Sequence, residues 1–108
     1  MAIQSMDANQ LKELMDQGQE FVLVDVREQT EWDESHIEQA KFIPLGQLEG
    51  RLSELENKNA KMILQCRSGK RSMRACELLE SEGYTDLTNL EGGILGWIEA
   101  GHPVIGNN

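Results

Sequence analysis

The sequence predicts an α/β domain, an open and mostly parallel sheet with helices on both faces. Three observations predict it. Short apolar, β-branched runs alternate along the chain with segments of helical periodicity. The run Phe21-Val22-Leu23-Val24-Asp25-Val26 is nearly continuous in apolar character, as a strand buried on both faces must be. The 108 residues contain no Pro-, Ser- or Gly-rich linker, so one domain over residues 1–108 is expected.

The elements follow in order. Asp7 with Gln10 three residues on forms a capping-box pattern, Ala8, Leu11, Leu14 and Met15 share a face, and Gly18 stops the run, so a first helix is expected over 7–17. The strand at 21–26 comes next, then a weaker one at 41–43 before Pro44. Leu45, Leu48, Leu52 and Leu55 keep a helical stripe despite Gly46 and Gly50. Residues 61–65 read as an inner strand, and a helix over 72–82 carries Met73, Cys76 and Leu79 on one side and ends at Gly83. A short strand at 86–90 precedes a closing helix with Ile94, Leu95, Trp97 and Ile98, which Gly101 and Pro103 end.

Composition narrows the function. With 39% apolar residues the chain hides roughly 60–70% of its unfolded surface and needs no disulfide or metal to hold it. Nineteen acidic against ten basic residues give a net charge of -9, which disfavours nucleic acid and anionic membranes as partners. Residues Met1 to Met6 carry neither a basic segment nor a signal-length apolar run, and no window approaches ~20 apolar residues, so a cytoplasmic location is expected. Cys66, Cys76, His36 and His102 match no zinc-ligand spacing. Neither metal nor cofactor is expected.

Ligands of such sheets bind beyond the carboxyl ends of the strands. Cys66 stands at one of these ends and opens the segment Cys66-Arg67-Ser68-Gly69-Lys70-Arg71, which leads into a helix. Successive backbone N–H groups there can converge on one anion, and Gly69 permits the unusual backbone angles the loop would need. Four of the ten basic residues, Arg67, Lys70, Arg71 and Arg74, fall in this stretch of an otherwise acidic chain. Amide dipoles and cations favour a thiolate, so Cys66 is expected to be nucleophilic at neutral pH. Cys76, one turn from Met73 and Leu79, is expected to pack.

The sequence resembles the single-domain rhodanese family of sulfurtransferases over nearly its whole length. The resemblance rests on Asp25-Val26-Arg27-Glu28, on His36-Ile37 with Ala40 and Ile43-Pro44, and on the loop from Cys66 to Arg71. It continues through Gly83-Tyr84, Asn89-Leu90-Glu91-Gly92-Gly93, Trp97, and Ala100-Gly101-His102-Pro103-Val104. It implies a five-stranded sheet, one strand more than the four segments read above, and a two-step reaction. Cys66 takes sulfane sulfur from thiosulfate or a similar donor as a persulfide, then gives it to cyanide or a thiol. The N–H groups of residues 67–71 would hold the persulfide charge, with Arg67, Lys70 and Arg71 orienting a small anionic donor. Asp25 and Arg27 would be structural supports. Ser35 and Gln39 stand where the family usually carries glycine.

Two other readings bear on the same loop. Cysteine-dependent phosphatases and arsenate reductases place arginine six residues after the cysteine, whereas this chain has Ser72 there and Gln65 before the cysteine. A relay module would use the same Cys66 persulfide between a protein donor and a protein acceptor. Glu91, Gly93 and Gly96 make an incomplete dinucleotide fingerprint, read as a tight turn, and Gly69-Lys70 lacks the leading glycine and hydroxyl residue of a P-loop. His36 and His102 are expected in turns or at the surface. The acidic stretch from Glu28 to Glu38 reads as a solvated face.

Overall fold

The computed structural model describes residues 3–106. In chain order the elements are β1 (Gln4–Met6), α1 (Ala8–Asp16), β2 (Val22–Asp25), α2 (Gln29–Glu34), β3 (Ser35–His36), β4 (Lys41–Phe42), α3 (Leu45–Leu48), β5 (Met62–Gln65), α4 (Lys70–Ser81), β6 (Leu87–Leu90), α5 (Gly93–Glu99) and β7 (Ile105–Gly106). Between α3 and β5 lies a 3-10 turn, Glu49–Glu54.

The sheet has five strands in the order β1-β6-β5-β2-β4, and every pairing in it is parallel. β5 and β2 are therefore interior, which is why Leu23, Val24, Ile63 and Leu64 are apolar on both faces and fully covered. One face packs Val24, Met62, Leu64 and Leu87 against Leu48 of α3, Leu55 just after the 3-10 turn, and Ala75 and Leu79 of α4. The other packs Leu23, Ile63 and Leu90 against Ala8, Leu11, Ile94 and Trp97 from α1 and α5. Helices cover both faces, as alternating strands and helices require.

The boundaries follow local chemistry. Asp7 caps α1 by accepting from the Gln10 backbone at 2.9 Å while the Gln10 side chain accepts from the Asp7 N–H, and Gly18 leaves the helix at φ +70°. The stripe at 45–55 is not one helix. α3 runs for one turn and passes into the 3-10 segment, where Arg51 takes φ -121° and breaks the helical path while Leu48 and Leu55 stay buried. α4 begins at Lys70, two residues earlier than its apolar periodicity indicates.

Three features lie outside the sequence reading. β1 pairs with β6 at the edge of the sheet, and its residues Gln4 and Ser5 are exposed, so no apolar run marks it. α2 occupies the acidic stretch, held at its start by the Glu28 N–H bonded to Glu31 Oε1 at 2.9 Å. β3 and β7 form a separate antiparallel ribbon. No helix among the described residues is long and apolar enough to cross a membrane.

Candidate active site

Cys66 follows β5 directly, at the carboxyl edge of the sheet, and residues 66–69 wrap round its own side chain before α4 starts. The wrap is possible because Gly69 sits at φ +111°, a region that side chains with a Cβ rarely adopt. It delivers the Gly69 N–H to Cys66 Sγ at 3.0 Å, with the Ser72 hydroxyl 3.4 Å from the same sulfur.

The sulfur is buried, with Cys66 only 1% exposed. Burial by itself pushes the thiol up. Hydrogen bonds from the Ser72 hydroxyl and from the N–H groups of Ser72, Gly69 and Ser68 outweigh it and hold Cys66 below the ordinary thiol range. Of the expected residues 67–71, Ser68 and Gly69 supply N–H donors to the sulfur, and Ser72 adds a further N–H and a side-chain hydroxyl. Cys76 shows the contrast: it is buried with no such donors and is pushed up to about 12.

The loop carbonyls are turned the other way. Cys66 O accepts from Ile94 N–H at 2.9 Å and from Gln65 Nε2 at 3.0 Å, and Arg67 O accepts from Leu95 N–H at 3.2 Å. The Ile94 and Leu95 N–H groups belong to the first turn of α5 and hold these loop carbonyls on its side. The approach needs Gly93, where a Cβ would lie 2.3 Å from Arg67 O. Asn89, from β6, braces the same corner: its Nδ2 donates to Gly69 O at 3.1 Å, and its Oδ1 accepts from Ser72 at 2.5 Å.

The expected cations divide into two kinds. Arg67, Lys70 and Arg74 are exposed, with no ion-pair partner among the described residues. Arg71 is instead held by Glu31 of α2 through two bonds of 2.7 and 2.8 Å. That fork holds the Glu31 carboxyl down at about 2 and raises Arg71. Arg71, expected to help orient an anionic donor, has its Nη1 and Nη2 donating to the Glu31 carboxylate.

Asp25 and Arg27 are both buried and bind one another through Arg27 Nε at 3.0 and 3.1 Å and Nη2 at 2.8 Å. Arg27 Nη2 also donates to Ser35 O at 2.8 Å. The pair ties the end of β2 to the end of α2, the helix that carries Glu31 to Arg71. Ser35, at an otherwise glycine-rich place in the resembling family, keeps extended backbone there. His36 stacks on Trp32 at 3.7 Å with its Nδ1 2.9 Å from Trp32 O, and His102 Nε2 lies 2.8 Å from Asn9. No group of three His, Cys, Asp or Glu among the described residues could hold a metal.

Beside the loop lies a groove of about 220 Å³ lined in part by Glu31, Ser35, Arg67, Ile94 and Leu95. A larger cavity of about 500 Å³, lined by Phe21, Val22, Ala60 and Lys61 among others, opens at the amino ends of β2 and β5, away from Cys66. Sequence reasoning missed Glu31, Ser72, Asn89 and Gly93 as parts of the site. Glu31 is hidden in an acidic run, and Ser72 enters the sequence reading only as a helix start and as the residue that stands where a phosphatase would carry arginine. Gly93 was read as a turn.

Residues 7–100 match the rhodanese-like domain family. A sulfurtransferase of Allochromatium vinosum is 32% identical over 103 residues, covering 95% of each chain. The protein YtwF of Bacillus subtilis is 36% identical over 97 residues, covering 90% of this chain and 92% of its own. Among solved structures, the rhodanese-like domain of the Anabaena protein Alr3790 superposes with a TM-score of 0.87 at 29% identity, covering 98% of this chain and 80% of that one.

Proposed function

This chain belongs to the rhodanese-like domain family, and from that premise we propose that it is a sulfurtransferase working through a persulfide on Cys66. One observation carries the reading: Cys66 Sγ lies under converging donors from Gly69 and Ser72. A buried sulfur under such donors is arranged to exist as an anion, which suits a group that attacks as a thiolate and later departs as one.

The reaction balances as two displacements. The Cys66 thiolate attacks the outer sulfur of thiosulfate, the sulfur–sulfur bond of the donor breaks, and sulfite leaves with the bonding pair. The enzyme then carries a Cys66 persulfide whose terminal sulfur is anionic. Cyanide or a thiolate attacks that terminal sulfur, and the Cys66 thiolate departs and is regenerated. The N–H groups of Ser68, Gly69 and Ser72 stabilise the charge of the Cys66 thiolate. Arg67 and Lys70, exposed at the rim of a chain with net charge -9, draw the anionic donor inward. Arg71 adds field strength through its Coulomb attraction to the sulfur while Glu31 fixes its position. Asp25 and Arg27 keep α2 in place and do no chemistry.

A second reading keeps the same chemistry with protein partners. Leu95, 43% exposed, stands on the groove next to Arg67, and an exposed apolar side chain beside a reactive loop favours contact with a protein donor or acceptor. Incubation with thiosulfate should add the mass of one sulfur atom to the intact protein. Cys66→Ser should abolish the addition and Cys76→Ser should leave it. Labelling of Cys76 would reject the assignment, and slow loading by thiosulfate beside fast loading by a protein persulfide would favour the relay.

A further inference from the structure

The Ser72 hydroxyl has two claims on its single hydrogen. Its Oγ is 2.5 Å from Asn89 Oδ1 and 3.4 Å from Cys66 Sγ. Ser72 is fully buried and Asn89 is 5% exposed, so water does not supply a substitute donor at low cost. The orientation of Asn89 is settled by its other bond: its Nδ2 donates to the carbonyl oxygen of Gly69, an atom that can only accept, so Oδ1 faces Ser72. The carbonyl end of the amide has no hydrogen to give. A hydroxyl carries one donor and two acceptor lone pairs, so Ser72 serves either neighbour as donor but not both.

We propose that Ser72 is a rotor that gives its hydrogen to Asn89 Oδ1 while Cys66 is a thiol and to Sγ once Cys66 is a thiolate. In the thiol state the S–H of Cys66 donates to Ser72 Oγ, and Ser72 donates on to Asn89, a chain in which each donor meets an acceptor. When the thiol proton leaves to solvent, Sγ becomes an acceptor only. The hydroxyl turns about its Cβ–Oγ bond, points its hydrogen at the sulfur, and vacates Asn89 Oδ1. In the persulfide the charge sits on the outer sulfur, Sγ is divalent and a poor acceptor, and the hydrogen returns to Asn89. No covalent bond changes in Ser72 or Asn89. Ser72 thereby stabilises the thiolate between turnovers and withdraws as sulfur arrives, while Asn89 is the positioning residue that sets how readily it turns.

Of the charged groups in and beside the loop, Arg71 attracts the sulfur and is held by Glu31 on α2, with Glu28 also acting on it. Arg67 and Lys70 lie on the loop and at the start of α4, Arg74 lies on α4, and Asp25 and Arg27 pair with one another. None of them bonds to Ser72 or Asn89 among the described residues, so the rotor can be altered without breaking an ion pair.

The inference deepens the persulfide reading, but its test does not depend on sulfur transfer. The rate of iodoacetamide alkylation of Cys66, followed as a function of pH by peptide mass spectrometry, reports the thiolate directly. Ser72→Ala is expected to move the profile to higher pH and slow alkylation at pH 7 about tenfold, since a hydrogen bond to a charged group is lost. Asn89→Ala is expected to move it to lower pH, because the competing acceptor is gone, and to have no such effect when Ser72→Ala is already present. An unchanged profile in Ser72→Ala overturns the proposal, and so does a shift of Asn89→Ala in the same direction as Ser72→Ala. Should Asn89→Ala not fold, Ser72→Ala decides alone, its fold checked by Tm. If the alkylation shifts appear but thiosulfate adds no sulfur to the unaltered protein, the sulfur-transfer reading fails and the rotor stands.

Discussion

Gly93 is packed against the Cys66 carbonyl so closely that a Cβ would stand 2.5 Å from that oxygen, besides 2.3 Å from Arg67 O. Both obstacles are backbone atoms of the Cys66 loop, so neither can swing aside, and Gly93 holds φ +56° in addition. Gly93→Ala is expected to cost about 3 kcal/mol in urea unfolding and to disable Cys66 loading, since the loop must move to admit the methyl group. Gly69→Ala meets nothing nearer than 3.6 Å, so only its φ of +111° opposes it and about 1–2 kcal/mol is expected. Equal costs at the two positions would contradict the steric account.

The two cysteines should differ in reactivity within one folded molecule. Cys66 is held below the ordinary thiol range by donors, whereas burial pushes Cys76 up to about 12. Native protein at pH 7 should take up one equivalent of iodoacetamide, on Cys66, and a second only after denaturation. Prompt modification of Cys76 in the native state would refute this.

Glu31 links folding to acidity. Its folded value of about 2 lies below the ordinary 4.5, so the ionised carboxylate is what the folded state prefers. The sign follows: the contribution is present in full above pH 4.5 and is lost as pH falls towards 2. Both side chains are partly exposed, at 25% and 34%, so solvent screening limits the pair to about 1 kcal/mol. Urea titrations across that window should show Glu31→Gln less stable than the parent at pH 6 and equal to it at pH 2.

Asp25→Ala should be far more damaging than its distance from the sulfur indicates. It strips the partner from Arg27, which is 4% exposed and would remain a buried charge with only the Ser35 carbonyl to satisfy it. About 3–5 kcal/mol of destabilisation is expected by chemical denaturation. Retention of full stability would mean that Arg27 can swing out to water.

Rim charge should govern loading by an anion and not by a neutral donor. Arg67→Gln and Lys70→Gln are each expected to raise the KM for thiosulfate roughly threefold to tenfold at low salt, with the difference shrinking as salt is added. Loading by a neutral organic polysulfide should change little, and a matching loss there would point to a shape effect instead.

The sequence by itself determined the class of fold and the place of Cys66 at the carboxyl end of an inner strand. Phe21–Val24 and Met62–Leu64 are apolar because interior parallel strands lose water on both faces, and Cys66, followed by Gly69 and a helix start, stands where its sulfur meets that helix's amino end. Local rules also placed α1, down to the Asp7–Gln10 capping box. What tertiary structure alone decided are relationships between residues far apart in the chain. β1 is a strand because β6 offers it an edge, since its own exposed residues carry no pattern. Glu31 is part of the site because α2 is carried to Arg71, forty residues on, and Asn89 reaches Ser72 across seventeen. Periodicity and capping act within a turn or two of backbone, whereas an ion pair or a steric stop depends on distances in space, which only the folded chain sets.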